Sequence, residues 1–423
     1  MHYLCSRMAG IYFHIPFCKS RCRYCDFFST TMEELHAPFV GAACMELSQR
    51  HDYLKGEDIE TLYFGGGTPS RLPLPLLRTF FEEVKKNFRQ RKNFFEEGKK
   101  NREESRAENV AGNSCEGQLR LAECTVEANP DDVGPDWAKN LLSAWSDVMG
   151  DTTPLRISLG IQSFDDGLLT LIGRRHSARQ AIRAVETLRE TGISEISIDL
   201  MYGLPGETEA TWQHDLLQAV ALEVPHISAY HLSYEKGTAM WKMRNEGTVQ
   251  EIDEESSLRQ FRMLREALLA AGYEHYEISN FALPGHHAKH NSNYWDNVPY
   301  LGIGPGAHSY DGVSRRCNNA DLKKYLKTND YVKESSGCFT VERLSPAEQY
   351  DEYIMTHLRT AKGISPNEVR NRFGKERSDY LLKHAQRHLD NNRLKRTDNG
   401  RITLTEEGIF VSDGIIADLF ADD

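Results

Sequence analysis

Short runs of apolar and β-branched residues recur along the first half of the chain, at 10–15, 59–64, 124–128, 155–161, 195–201 and 226–232. Each gives way to an amphipathic stretch of helical period. Six β-then-α units predict a parallel sheet, because parallel neighbours need a long crossover that a helix supplies. Such a sheet is doubly wound or closes into a full or partial (β/α) barrel, and both arrangements bind ligands at the carboxyl ends of strands.

Two stretches break the pattern. Between 89 and 108 twelve of twenty residues are charged, with mixed sign, and 109–117 continues in small and polar types, which predicts a solvated surface insertion at about 89–117. Beyond about residue 320 the spacing turns helical. Residues 347–361 and 378–391 read as helices, and 364–373 as a short helix entered through Ser365-Pro366. Residues 393–405 read as a hairpin turning at Asp398-Asn399-Gly400, with a last helix behind it. The order suggests a winged-helix-like module. No concentrated basic recognition helix accompanies it, so packing is the expected role rather than DNA binding.

With 51 Lys+Arg against 62 Asp+Glu the formal net charge is −11, which argues against a general nucleic-acid or anionic-membrane binder. No stretch approaches the ~20 apolar residues of a membrane span, and the start lacks a signal peptide's apolar block. A cytoplasmic protein is expected. Met8 opens MAGIYFHIPFC, so the first seven residues read as an upstream-start extension. Nine cysteines, an odd number, point to metal ligands and buried thiols rather than a disulfide framework.

Three of them stand directly after the first strand, in His14-Ile-Pro-Phe-Cys18-Lys-Ser-Arg-Cys22-Arg-Tyr24-Cys25-Asp-Phe27. Three thiolates on one loop can hold zinc, but structural zinc closes its tetrahedron with a fourth ligand, and none sits at customary spacing. A cubane iron-sulfur cluster on three cysteines keeps one iron open for another ligand. Cys5, Cys44, Cys115, Cys124, Cys317 and Cys338 share no spacing and read as ordinary thiols.

This CxxxCxxC, with Tyr24 before its third cysteine, resembles the radical S-adenosylmethionine (SAM) superfamily. The resemblance implies an α/β fold, a partial (β/α)6 barrel followed by the C-terminal helical, winged-helix-like domain. It also implies a 4Fe-4S cluster on Cys18, Cys22 and Cys25, whose open iron chelates the methionyl end of SAM. Other strand ends agree. Gly65-Gly66-Gly67-Thr68-Pro69 ends the second strand, Glu127 closes the third, Gln162 the fourth, and Asp199 lies in the fifth. A glycine triplet alone is as well explained by a turn, and Arg174 by a surface arginine. Carried over by the resemblance, the SAM contacts are Tyr12, Tyr24, Gly66, Gly67, Thr68, Glu127, Gln162, Arg174 and Asp199.

Over about residues 8–420 the chain looks like the branch that contains oxygen-independent coproporphyrinogen III oxidase (HemN) and the heme chaperone HemW. That similarity divides it into a radical SAM core at 8–240, a barrel extension at 241–320 and a C-terminal HemN-like domain at 321–423. Two functions follow: an oxidase of porphyrin biosynthesis that decarboxylates coproporphyrinogen III, or a carrier that hands heme to acceptor proteins. Similar oxidases carry a further cysteine where Phe27 stands, and a long arm before the cluster loop where this chain has 17 residues. His290-Asn-Ser-Asn-Tyr294-Trp295 matches the HNxxYW motif of the chaperones. Imidazole is a common heme ligand and aromatic rings pack on a macrocycle, so His290, Tyr294 and Trp295 are the expected heme residues. A hydrogen-bonded structural histidine is the competing reading, and His286 and His287 are alternative ligands.

The expected function is therefore a heme chaperone carrying a cluster and SAM, with coproporphyrinogen oxidase as the alternative. Its expected partners are heme, heme-acceptor proteins such as respiratory enzymes, an electron-donor protein and, transiently, a membrane protein, with no nucleic acid. Cluster and heme sites, separated by most of the barrel sequence, are expected to fail independently.

Overall fold

The computed structural model describes residues 8–88, 119, 121–151 and 153–421. All six expected strands are present: β1 (Met8–Ile15), β2 (Asp58–Gly66), β3 (Glu123–Ala128), β4 (Leu155–Gln162), β5 (Ile196–Tyr202) and β6 (His226–His231). They lie in sequence order, each parallel to the next.

Alternation along these strands gives the sheet two unlike faces. Ile11, Phe13, Leu62, Phe64, Val126, Ile157, Leu159 and Ile198 are fully buried against the helices. In helix Leu74–Asn87 the buried residues Leu77, Phe80, Phe81 and Val84 form a stripe at i, i+3, i+4 and i+7. The Phe80 ring lies 4.9 Å from Phe13, which stacks on Phe64 at 4.7 Å. Burying each such ring contributes roughly 1.5–3 kcal/mol. The opposite face carries Tyr12, Tyr63, Thr125, Glu127, Arg156, Ser158, Ser197, Asp199, His226 and Ser228, which line a cavity. A barrel lumen is usually packed with branched apolar side chains; this one is polar.

The sheet is extended at both ends. Strands β7 (Glu274–Glu277) and β8 (Asn280–Ala282) join the β6 edge, with β8 antiparallel to β6. On the other side β9 (Tyr300–Ile303) runs parallel to β1, followed by antiparallel β10 (His308–Tyr310), β11 (Ser314–Asn318) and β12 (Phe339–Arg343). The partial barrel is thus an open twelve-stranded sheet with β12 and β7 at its edges. Between β8 and β9 the chain crosses from one edge to the other, and helix Lys289–Trp295 lies on that crossing, against β1 and β2.

A buried ion cluster locks the extension to the core. Arg50 Nη1 pairs with Glu46 at 2.6 Å and donates to the Gly302 carbonyl at 2.8 Å. Glu46 in turn accepts from Gly304 N–H, Asn318 and the Tyr325 hydroxyl. Removing one partner from such a cluster strands a buried charge, at a cost of about 3–5 kcal/mol.

The large sheet runs to Arg343, beyond the division near residue 320 that the sequence pattern suggested. The change of pattern there is the short helix Leu322–Lys327, inserted between β11 and β12. The C-terminal module follows with helices Pro346–Leu358, Pro366–Phe373 and Lys375–Asp390, the hairpin β13 (Leu394–Arg396) and β14 (Ile402–Leu404), and helices Glu406–Phe410 and Ser412–Asp418. Ser365 caps its helix by accepting from Glu368 N–H, and Pro366 fills the first turn, where a missing N–H costs nothing. Tyr350, Ile354, Leu358, Val369, Leu381 and Ile402 give the module its own core. The charged insertion, the first seven residues, Cys5 and Cys115 lie outside the described residues. No helix among the described residues is long and apolar enough to cross a membrane.

Candidate functional site

The cysteine loop leaves the carboxyl end of β1 and is closed on itself by backbone bonds. Cys18 N–H donates to the Thr30 carbonyl at 2.9 Å and Thr30 N–H to the Pro16 carbonyl at 2.6 Å. His14 braces it from below: Nε2 bonds the Phe28 carbonyl at 2.8 Å, while Nδ1 meets the Tyr12 hydroxyl at 3.2 Å. The glycine triplet lets β2 end beneath this loop. At Gly67 a Cβ would fall 2.7 Å from the Ile15 carbonyl oxygen, and at Gly66, whose φ is +105°, 2.5 Å from the His14 ring.

Cys18, Cys22 and Cys25 are free thiols, half-buried, and all three line the cavity. The Thr68 hydroxyl donates to Cys18 Sγ at 3.5 Å and Arg174 Nη1 to Cys22 Sγ at 3.4 Å. Burial raises the Cys18 thiol and pushes Cys25 up to about 11, with repulsion from the neighbouring thiolates adding to it. Like charges gathered this way ionise readily only when a cation joins them. Among the described residues no three His, Cys, Asp or Glu side chains are placed to hold a single metal ion. Three half-buried thiols without a fourth ligand at customary spacing fit an iron-sulfur cluster better than a structural zinc, which takes four.

Every SAM residue expected from the sequence, from Tyr12 and Tyr24 through Gly66, Gly67, Thr68, Glu127, Gln162 and Arg174 to Asp199, lines the same cavity of about 510 Å³. Glu127 accepts from the Tyr63 hydroxyl at 2.8 Å and from Gly66 N–H at 3.1 Å. Burial pushes its carboxyl up to about 7 despite those donors, with the nearby Asp199 charge adding. Asp199 is likewise pushed up by burial, to about 6, against the pull of Ser228 and Ser158. Arg174 reaches Asn129 Oδ1 at 2.5 Å and the Gly160 carbonyl. Gln162 is buried at a β-bulge with φ +71°. A left-handed non-glycine residue costs on the order of 1–3 kcal/mol and is typical of ligand-binding positions.

The other end of the lumen is formed by helix Lys289–Trp295. The Glu123 carboxylate accepts the N–H groups of Lys289 and His290, each at 3.1 Å. Arg156 is pinned 3.3 Å from both Glu123 and Glu195 and donates to the His286 carbonyl at 3.0 Å. His290 is 2% exposed, and both ring nitrogens are engaged: Nδ1 with Thr61 Oγ1 at 2.8 Å, Nε2 with Tyr294 Oη at 2.9 Å. Burial lowers its pKa to about 3, so the ring is neutral.

His290, Asn291 and Tyr294 line the cavity, whereas Trp295 does not; its buried indole nitrogen finds no partner among the described residues. Residues four apart share a helix face, and the next residue is turned about 100° away. Neither His286 nor His287 enters the lumen. His286 Nδ1 pairs with Glu195 at 2.9 Å, and His287 pairs with Glu274 at 2.7 Å while stacking on Tyr276. The sequence reading missed Tyr63, Arg156, Ser158, Ser197, Ser228 and Tyr230, all lumen residues at alternate positions of the strands. Rings of Tyr12, Tyr63 and His290, 5.9 and 5.1 Å apart, form one wall from the cysteine end to the helix. Distance along the chain has not become distance in space.

Comparison with known proteins agrees with this geometry. A family model described as the radical SAM superfamily matches residues 12–219, and one described as the HemN C-terminal domain matches 344–411. The heme chaperone HemW of Lactococcus lactis subsp. lactis (strain IL1403) is 32% identical over 413 residues, 97% of each chain. The mitochondrial radical S-adenosyl methionine domain-containing protein 1 of Mus musculus is 30% identical over 370 residues, 85% of this chain and 75% of that one. Among solved structures, coproporphyrinogen III oxidase (HemN) of Escherichia coli, a radical SAM enzyme, superposes with a TM-score of 0.76 at 18% identity, over 98% of this chain and 90% of the other.

Proposed function

This chain belongs to the HemW family of the radical SAM superfamily, and we propose on that footing that it is a heme chaperone, binding heme and passing it to acceptor proteins. The observation that carries the proposal is the lumen itself, in which the three-thiol loop and the neutral imidazole of His290 share one cavity. The likeness to HemN is one of fold, and Phe27, 60% exposed at the cavity mouth, holds the place of the oxidase's additional cysteine.

In this reading Cys18, Cys22 and Cys25 hold a 4Fe-4S cluster. The cluster and SAM together supply one-electron cleavage of a sulfonium, chemistry that belongs to the cofactors. The chain contributes orientation. Gly66 and Thr68 present backbone and hydroxyl groups to the methionyl end, and Arg174 offers its guanidinium to the carboxylate. Glu127 and Asp199 accept from the ribose hydroxyls, and Gln162, fixed by its bulge, meets the adenine. Tyr294 would release His290 Nε2 and lay its ring, not its hydroxyl, against heme. Thiolate ligands suit a reducing compartment, and the cytoplasm is the proposed location. A protein electron donor and respiratory heme acceptors, some of them membrane-bound, are the proposed partners.

The test is an anaerobic preparation with reconstituted cluster, titrated with heme and assayed in parallel on coproporphyrinogen III with SAM and a strong reductant. Heme uptake without decarboxylation is the expected result. Stoichiometric SAM consumption with protoporphyrinogen IX formation replaces the carrier reading with the oxidase.

A further inference from the structure

On the wall beyond β1, His308 and Cys317 face each other across the β10–β11 ladder. The imidazole Nε2 stands 3.3 Å from the thiol Sγ. His308 is exposed and Cys317 half-buried. Among the described residues the one other side-chain hydrogen bond of the pair is a 3.6 Å contact of the thiol with the Asn318 carbonyl, so these two side chains have little part in holding the fold.

Register places the pair on the lumen side. Gly10, whose missing Cβ makes room for His290, pairs with Tyr300, which pairs with Tyr310, two residues along β10 from His308. The rings of Tyr294, Tyr300 and the buried Tyr310 follow one another at 4.6 and 6.4 Å, so a row of packed rings links the lumen helix to the strand that carries His308. The loop leading into β10 packs on the cysteine loop: a Cβ at Gly306 would lie 3.5 Å from Phe28, and one at Gly304 2.6 Å from the His14 carbonyl oxygen. His308 and Cys317 therefore stand at the cysteine end of the sheet, opposite helix Lys289–Trp295.

We propose that His308 and Cys317 are an alternative pair of axial ligands for heme iron at the rim of the sheet, on its lumen-side face at the cysteine end but outside the lumen lining, used when cargo enters or leaves. The inference rests on the heme-carrier reading. Two ligands are too few for a zinc ion, which takes four from the protein or three and a water. Heme iron, with four positions filled by the porphyrin, needs only one or two more. His290, by contrast, is 2% exposed at the other end of the lumen, whereas His308 is exposed and the partner of its Nε2 is the other candidate ligand itself. Because thiol and imidazole are within one ligand's reach of the same point, they are alternatives. An anionic thiolate favours ferric iron, and a neutral imidazole serves ferrous iron as well. One electron from an external one-electron reductant converts ferric to ferrous iron. The iron–sulfur bond of Cys317 then breaks, the thiolate takes a proton from water, and an iron–nitrogen bond to His308 forms.

The experiment is an anaerobic hemin titration of the full chain, read by absorption and electron paramagnetic resonance before and after dithionite. It is run on the parent, Cys317→Ser, His308→Gln and His290→Ala, with cluster iron measured alongside to show that each variant is folded. The expected result is a low-spin thiolate signature in ferric parent that Cys317→Ser abolishes, and a ferrous imidazole spectrum that His308→Gln alters while Cys317→Ser leaves it intact. In His290→Ala the rim signatures should gain intensity. Heme uptake by Cys317→Ser and His308→Gln with parent spectra in both oxidation states overturns the rim site and leaves the carrier reading standing. A parent that takes up no heme overturns both.

Discussion

Gly10 and His290 pack so closely that a Cβ on residue 10 would stand 3.0 Å from the imidazole Cε1 and 2.9 Å from Thr61 Oγ1. The helix that carries HNxxYW sits where it does because β1 has no side chain at that point.

Gly10→Ala should therefore displace the imidazole, since Thr61 and His290 form one hydrogen-bonded pair and neither can yield alone. Altered heme absorption at near-parent cluster content is the expected outcome. Gly41→Ala is the control: it has nothing within 4 Å of its missing Cβ and lies in helix His36–Gln49, where the change should stabilise by about 0.5–1 kcal/mol. A Gly10→Ala protein with unchanged heme spectra would show that His290 is not the ligand.

Tyr294→Phe should tighten heme binding. Ligation through Nε2 requires loss of the 2.9 Å bond to Tyr294, and a neutral hydrogen bond is worth about 0.5–1.5 kcal/mol, or roughly two- to tenfold in affinity. Weaker binding in the variant means that the Tyr294 hydroxyl contacts heme rather than guarding the imidazole.

Acid should leave His290 able to ligate. Its folded pKa, lowered to about 3, lies below the ordinary 6.5, so the neutral ring persists to well under pH 5. The same depression means that an unfolded chain takes up the proton first. Folding stability from this group is thus present above pH 6.5 and is lost as pH falls from there toward 3. In a Cys317→Ser/His308→Gln double variant, a heme spectrum that stays constant from pH 8 to 5 is expected; a transition near 6.5 there points to a further exposed histidine instead of His290.

SAM affinity should follow Glu127. With the carboxyl raised to about 7, the acceptor form declines as pH falls from 8 to 6, and binding to the cluster-loaded protein should weaken over that range. Glu127→Gln should bind more weakly at pH 8 and lose the pH dependence. If the variant keeps the parent's profile, another group titrates.

Replacing Cys18, Cys22 or Cys25 with Ala should remove the cluster, because two thiolates hold a cubane poorly. Iron and sulfide after anaerobic reconstitution provide the check, and retention of about four irons in Cys22→Ala contradicts the ligand assignment.

Much of this site was legible along the chain because the residues expected to hold the cluster and SAM fall largely at strand ends, and a strand's end can be read locally. The lumen lining was written there too, in the alternation of Arg156-Ile-Ser158-Leu-Gly160-Ile-Gln162 and of Ser197-Ile-Asp199. What the sequence lacks is whether a polar face meets water or an enclosed space, since alternation is identical in both cases. The position of helix Lys289–Trp295 was not legible either. It depends on the chain crossing from β8 to β9 under the strands, and on Glu123 capping a helix 166 residues downstream. Trp295 stands off the lumen for a related reason, because a motif records adjacency and a helix disperses adjacent residues around its axis.

Helix Lys289–Trp295, held by Glu123 against β1 and β2, also bears on the order of traffic. On the proposed reading, with heme at His290 and SAM toward the cysteine loop, cargo would leave past SAM. SAM occupancy would then lengthen its dwell, and delivery would be timed through a molecule that never touches the iron.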